Sequence, residues 1–257
     1  MNKSRLDLDS LAPRIISLAE KAGTLICQIY TEEVEVFKKE DGSPVTRADH
    51  QSHDLLEEGL RLITPDIPII SEEDEGSWKI VSPYYWLIDP LDGTKGFIRR
   101  SGEFCINIAL MKDDRPLFGL IHIPLTQETY YGYDRKAWRS YKGRTIPIHT
   151  RIRPPKGSTL LVGEHGNKFQ QQQDFHLQTF PIAKIERLHS AIKFCRLAAG
   201  QADIYIRFTP CKEWDTAAGH ILVEAAGGVM VNLDGSPFIY GKPELLNEGF
   251  IVFGRTP

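Results

Sequence analysis

Apolar side chains recur at three- and four-residue steps through Leu8, Leu11, Ile15, Leu18, Ala22, Leu25 and Ile29. This spacing predicts a helix with one buried stripe, ending near Tyr30. The stretch VEVFKKEDGSPVTRAD that follows lacks this period and reads as a short strand and a turn. Thr46 and Asp49 then form a Thr-x-x-Asp variant of the capping signal. They predict a second helix over 47–63, with Leu55, Leu56, Leu60 and Ile63 on its apolar face. Pro65 closes it, because a residue before proline is pushed out of helical geometry.

Beyond this point the apolar period changes from helical to extended. IPII and YYWLI are short continuous runs bounded by prolines and acids, as expected of strands buried on both faces. CINIAL, LFGLIHI, TYYGY and KAWRSY are rich in β-branched and aromatic residues, with turn signals between them, and predict successive antiparallel strands. In the second half, TLLVG, ADIYIRF, GGVMVNL and FIVF read as strands, with SAIKFCRLAAG and WDTAAGHILVEAAGG as intervening helices. The expectation is an α/β (α+β) protein, 1–257 a single unit. Its approximate lobes are 1–150, helices on an antiparallel sheet, and 151–257, alternating α/β. The glutamines at 170–173 read as a surface loop.

Composition narrows the partners. A chain of 257 residues with 41% hydrophobic content can bury a core without disulfides or structural metals. Thirty-one basic against 34 acidic side chains leave a formal charge of -3, offering no broad attraction for nucleic acid or anionic membrane. The expected partner is a small molecule. Cys27, Cys105, Cys195 and Cys211 are scattered without C-x-x-C spacing, which points to free, mostly buried thiols. The charged start MNKSRLDLDS and the absence of any run of about 18 apolar residues lead to the expectation of a cytoplasmic protein.

The segment WLIDPLDGTKGF carries the most chemistry. Asp89 and Asp92 stand three apart across a proline-fixed turn, so both carboxylates and the Leu91 carbonyl can converge on a hard cation such as Mg²⁺. Gly93 lets backbone approach a ligand, and Thr94 opens a predicted helix whose free N–H groups suit phosphate oxygens. A bare Asp-x-x-Asp would read as a surface turn. Five specified positions make coincidence in a chain of this length an event on the order of one in ten thousand, so the functional reading prevails. Upstream, Glu72, Glu73, Asp74 and Glu75 follow a strand end, and Glu72 is the acid expected to face the site; Asp74 and Glu75 read as solvated. Asp215 in EWDTAAGH, taken alone, reads as a helix cap with Trp214 as core, and Asp49 is explained by capping or by binding water near a metal.

SEED, DPLDGTKGF and WDTAAG, in this order, resemble the inositol monophosphatase superfamily. GSPVTRAD, KGFI, GEFCINIAL, KFC, GQADIYIRF and EWDTAAGH are more similar to its CysQ-type 3'(2'),5'-bisphosphate nucleotidase branch. The resemblance implies a layered α/β/α/β/α sugar-phosphatase fold with an antiparallel N-terminal and a mixed C-terminal sheet. It also implies two or three Mg²⁺ ions, lithium sensitivity, a place in sulfur metabolism, and conversion of adenosine 3',5'-bisphosphate to AMP and phosphate. By the same resemblance Glu72, Asp89, the Leu91 carbonyl, Asp92 and Asp215 are metal ligands, Asp49 serves a further metal or its waters, and Thr94 orients the attacking water. Asp49, Glu72 and Thr94 form the implied catalytic set. Substrate contacts fall on Glu72, Leu91, Asp92, Gly93, Thr94 and Asp215, and, for the nucleotide phosphates, on His165, Ser190, Lys193 and Arg207.

Taken alone, Lys193 reads as a solvated helix residue, His165 as a loop histidine and Arg207 as a surface strand residue. Two departures bear on substrate choice: GEHGN, where Glu164 would repel a phosphate, and HSA, where His189 and Ala191 replace small or hydroxylated residues. An inositol monophosphatase or related sugar phosphatase is the alternative enzyme, and a silent metal- and nucleotide-binding sensor the alternative from another class. Family members occur as monomers and dimers, leaving a homodimer open. Peripheral attachment at the inner membrane is also open, although the charge pattern suggests no basic amphipathic anchor.

Overall fold

The computed structural model describes residues 6–32, 35–39, 42, 44–154, 157–163 and 181–255. Helix α1 (Leu8–Tyr30) is capped by Asp7, whose carboxylate accepts from the Ser10 amide. A hairpin of β1 (Val36–Lys38) and β2 (Pro44–Thr46) leads to α2 (Arg47–Ile63), which begins in the predicted reciprocal box: the Ala48 amide donates to Thr46, and the Thr46 amide donates to Asp49.

Seven strands form the first sheet in chain order. They are β3 (Ile69–Ser71), β4 (Tyr84–Asp92), β5 (Cys105–Lys112), β6 (Arg115–Ile123), β7 (Glu128–Tyr133), β8 (Lys136–Tyr141) and β9 (Arg144–Ile148). Side chains alternate across β4. Trp86 and Ile88 pack with Ile15, Ile26, Leu56 and Leu60 from α1 and α2, whereas Tyr85 and Leu87 join the core on the opposite face. Burial on both sides accounts for the continuous apolar run. One pairing departs from the expected antiparallel pattern: β3 runs parallel to β4, Ile69 opposite Trp86 and Ser71 opposite Ile88. Residues between the two strands, including the 3₁₀ turn Glu75–Lys79, carry the chain back to the starting edge, so both strands end side by side. Strand β9 was not anticipated; Pro147 lies in it, tolerable because β9 is an edge.

The second sheet is mixed, as expected, in the order β11 (Ile182–Arg187), β10 (Ser158–Val162), β12 (Ile204–Arg207), β16 (Phe250–Phe253), β14 (Val229–Asn232). Its β10 pairs are parallel and its β16 pairs antiparallel. Strand β11, with its weakly patterned IAKIER, also escaped the sequence reading, as did the two-residue pair β13 (Cys211–Lys212) and β15 (Leu246–Asn247). Between the sheets lie α4 (Ile192–Ala198) and α5 (Ala217–Ala225), whose Phe194, Ala218, Leu222 and Val223 share one core with Leu87, Met111, Leu161, Tyr205 and Val252. The described layers are therefore α, β, α, β; a further outer helix layer is not among the described residues.

Short side chains let α5 sit close to the first sheet. A Cβ at Gly119 of β6 would lie 2.4 Å from the Ala218 carbonyl oxygen. The 3₁₀ turn Glu213–Asp215 ahead of α5 is thereby held over β4 and β5. A short helix, α3 (Thr94–Ile98), follows β4 directly. None of the described helices is long and apolar enough to cross a membrane. All four cysteines are free, three of them buried, as expected.

Candidate active site

Because β3 and β4 end together, Glu72, whose amide donates to the Ile88 carbonyl at 3.2 Å, stands beside Asp89. Asp215 arrives from the turn before α5. One carboxylate oxygen from each of Glu72, Asp89 and Asp215 lies within 4.8 Å of the others. Three acids from separate stretches of chain thus meet at one point. Asp215 is not the helix cap that its position alone suggested; Thr216 occupies that place, and no side chain caps α5.

Between Asp89 and Asp92 the β4–β5 ladder breaks, and Pro90 has no N–H to leave unpaired there. Ser52 of α2 donates to the Pro90 carbonyl at 2.8 Å, the Leu91 amide donates to Asp89 Oδ1 at 3.0 Å, and the Leu91 side chain is buried among α1 and α2 residues. The bulge is therefore pinned from both sides. Gly93 follows at φ 96°, a left-handed conformation in which a Cβ would meet the Glu103 carbonyl at 2.7 Å. Thr94 then donates its hydroxyl to Asp49 Oδ1 at 3.0 Å and lies 3.3 Å from the Leu91 carbonyl. Asp49, 1% exposed, accepts from the Thr46 amide and hydroxyl through its other oxygen. It completes the capping box of α2 and also accepts from Thr94, next to the acidic cluster.

Asp92 lies next to the trio and raises the carboxyl pKa of each member, without itself belonging to the close group. Its Oδ2 accepts from the Ala191 amide at 2.5 Å and the Asn107 amide at 3.3 Å, and lies 3.6 Å from the Cys105 thiol. No described donor engages Oδ1.

Electrostatically the cluster is under-neutralised. Burial first, then the charges of Glu72, Asp92 and Asp215, push the Asp89 carboxyl well above the ordinary range. Burial and Asp92 bring Asp215 up to about 7, opposed by Arg207. Burial raises Glu72, while Lys39 lowers it: the Lys39 ammonium donates to Glu72 at 2.9 Å and to Glu73 at 2.8 Å. An all-oxygen, mutually repelling donor set, buried at Asp89 and partly exposed at Glu72 and Asp215, fits a hard divalent cation such as Mg²⁺.

The linkage has a definite sign. A folded-state pKa raised from about 4 to about 7 means that the native metal-free protein binds protons the unfolded chain releases, so its stability falls as pH rises through that interval. Mg²⁺ competes with those protons, and its stabilisation should grow with pH. In melting experiments with EDTA or Mg²⁺, the Mg²⁺-induced rise in Tm should be larger at about pH 8 than at about pH 5. Equal shifts at both would remove these acids from the metal's binding site.

A model of the inositol monophosphatase family matches residues 7–249. Curated relatives named 3'(2'),5'-bisphosphate nucleotidase CysQ include one from Salmonella typhimurium, 40% identical over 93% of this chain and 98% of its own length. Another, from Haemophilus influenzae, is 30% identical over 96% and 93%. The crystal structure of CysQ from Bacteroides thetaiotaomicron, described as a bacterial member of that family, superposes with a TM-score of 0.83 at 30% identity, covering 98% of this chain and 99% of the other. The chain belongs to the inositol monophosphatase family.

Of the family positions carried over for nucleotide contacts, His165, like Glu164, lies outside the described residues. Ser190 adopts φ 55° in the turn before α4. Arg207 is half-buried rather than a surface residue, donating to the Thr209 and Pro210 carbonyls at 3.2 and 3.3 Å. Lys193 is not solvated either: it is 3% exposed. Asp74 is half-buried rather than solvated and caps the 3₁₀ turn by accepting from the Gly76 amide at 3.0 Å; Glu75 is exposed, and Trp214 is core against Trp78. The sequence reading of the family site missed two residues. Lys39 had no signal in its irregular segment. Asn107 did: a lone amide in the buried run CINIAL, 1% exposed, it bridges Asp92 and the Trp214 carbonyl, tying β4 to the turn that bears Asp215.

Proposed function

We propose that this chain is a Mg²⁺-dependent phosphomonoester hydrolase that converts adenosine 3',5'-bisphosphate to AMP and phosphate. It acts on this small metabolite in the cytoplasm as one catalytic unit across both lobes. The observation that carries the chemistry is the meeting of Glu72, Asp89 and Asp215 beside the Asp49–Thr94 hydrogen bond. The choice of substrate is supported by relatives at 40% identity whose name is 3'(2'),5'-bisphosphate nucleotidase.

Two or three Mg²⁺ ions, held by Glu72, Asp89, Asp92, Asp215 and the Leu91 carbonyl, would supply the Lewis acidity that lowers the pKa of water and offsets charge on the phosphoryl oxygens. The protein's own part begins with Asp49. By accepting a hydrogen bond from the Thr94 hydroxyl, it would turn the Thr94 lone pairs toward a neighbouring water, which would donate to Thr94 and present its own lone pair to phosphorus. No side chain caps α3, so the N–H groups at Gly93 and Thr94 are open to phosphate oxygens. By the family resemblance, His165, Ser190, Lys193 and Arg207 are assigned to the substrate's remaining phosphate.

The decisive measurement is phosphate release with Mg²⁺ from adenosine 3',5'-bisphosphate and from inositol 1-phosphate. The bisphosphate should lead by at least about tenfold in kcat/KM. Preference for the inositol ester would make the chain a sugar phosphatase, and no release from either would leave a metal-binding sensor.

A further inference from the structure

Glu213 is a carboxylate outside the cation-binding cluster. It opens the 3₁₀ turn that ends in Asp215 and is 0% exposed. Burying an acid without donors is costly, and Glu213 meets that cost with backbone: Oε2 accepts from the Gly241 amide at 3.1 Å and Oε1 from the Lys242 amide at 3.0 Å. Both amides belong to a strap, 240–247, laid along the turn. Strand β15 pairs with β13, the Lys212 ammonium donates to the Glu244 carbonyl at 2.8 Å, and the Asn247 side-chain amide donates to the Thr216 hydroxyl at 2.9 Å. The strap is not relaxed. Glu244 and Leu245, successive residues with side chains, stand at φ 57° and 51°, a conformation that persists only where the surroundings impose it.

On the side of the first sheet the turn has its own fastenings: Asn107 reaches the Trp214 carbonyl at 3.5 Å, Trp214 packs on Trp78, and the Lys212 backbone N–H bonds the Asp215 carboxylate. Glu213 ties the turn to the strap at its first residue. Its carbonyl, accepting from the Thr216 amide and hydroxyl, both at 3.1 Å, closes the turn around Asp215. We propose that Glu213 is a positioning residue for Asp215: by holding the Gly241 and Lys242 amides it locks the strap against the turn and sets the direction in which the Asp215 carboxylate meets the cation site. The inference rests on the phosphatase reading for its kinetics but not for its metal-binding consequence.

In Glu213→Gln, which turns an N–H group toward one of the two amides, Mn²⁺ affinity measured on the full chain without substrate should weaken by about tenfold. Phosphate release from adenosine 3',5'-bisphosphate should fall by a similar factor at limiting Mg²⁺ and return to within about twofold of the parent at saturating Mg²⁺, because every proposed ligand is still present. Asp203→Asn is the comparison. Asp203 is equally buried, but its partners are Arg151 and the Thr159 amide, outside the site; its loss should lower Tm and leave Mn²⁺ affinity within about twofold. A lower Tm in Glu213→Gln with parental Mn²⁺ affinity would make Glu213 a structural residue only and overturn the proposal. An equal loss of Mn²⁺ affinity in Asp203→Asn would overturn it as well. If Glu213→Gln does not fold, the contact can be cut from the strap. Lys242 stands at φ −73°, which proline adopts, so Lys242→Pro deletes the amide donor whereas Lys242→Ala keeps it. Only the proline variant should weaken Mn²⁺ binding, and equal affinities in the two would overturn the proposal. Should the parent protein release no phosphate, the functional reading falls while the Mn²⁺ titrations still decide the role of Glu213.

Discussion

Asp89→Asn should lower phosphate release by about a thousandfold or more while raising the melting temperature of the metal-free protein. The two effects share one cause. Asp89 is 2% exposed, and its carboxyl is raised by burial and by four neighbouring carboxylates, Glu72, Asp92, Asp215 and Glu73. Asparagine keeps the shape and an oxygen for the Leu91 amide, so the bulge should survive. It removes a charge whose ionisation is opposed by its surroundings, which relieves the apo protein. With Mg²⁺ the same change would remove one of the proposed ligands. Loss of several kcal/mol of Lewis-acid stabilisation corresponds to about three orders of magnitude in rate. Phosphate assays and thermal melts in EDTA test both halves. Near-normal turnover would displace Asp89 from the metal site, and a lower Tm in EDTA would show that the carboxylate is satisfied without a cation.

Thr94→Val should lower kcat by about a hundredfold and leave KM close to its parent value, whereas Thr94→Ser should retain most of the activity. Valine matches threonine in shape but has no hydroxyl, so nothing relays the alignment set by Asp49. It also leaves Asp49 Oδ1 without its donor in a buried position, at a cost of about 1–3 kcal/mol of stability. Because the hydroxyl is assigned to the attacking water rather than to substrate binding, the loss belongs in kcat. If Thr94→Val raised KM and spared kcat, the hydroxyl would be a substrate contact instead.

The residues differ in how much of their role could be read from the chain. Helices α1 and α2 form over the stretches their apolar spacing marked, since period and capping are set by residues within one turn of each other. The DPLDGT segment was legible as a proline-fixed turn with a glycine after it, whereas its bulge is held by Ser52 of α2 and by the packing of Leu91, which no local pattern shows. Lys193 and Asp215 were misjudged in isolation because burial and orientation are not properties of a residue and its neighbours in sequence. A lysine next to a helix start is usually solvated; this one is covered by the second sheet, with Tyr205 beside it.

The amino-acid sequence by itself determined the helices, most of the strands and which acids were available for a cation, because those depend on spacing and on side-chain chemistry. Only the tertiary structure decided that β3 and β4 run parallel, bringing Glu72 alongside Asp89, and that small residues seat α5 closely enough to add Asp215. Strand direction and helix approach are settled by packing across the whole core. A site built from three separate segments therefore exists only once that core has formed.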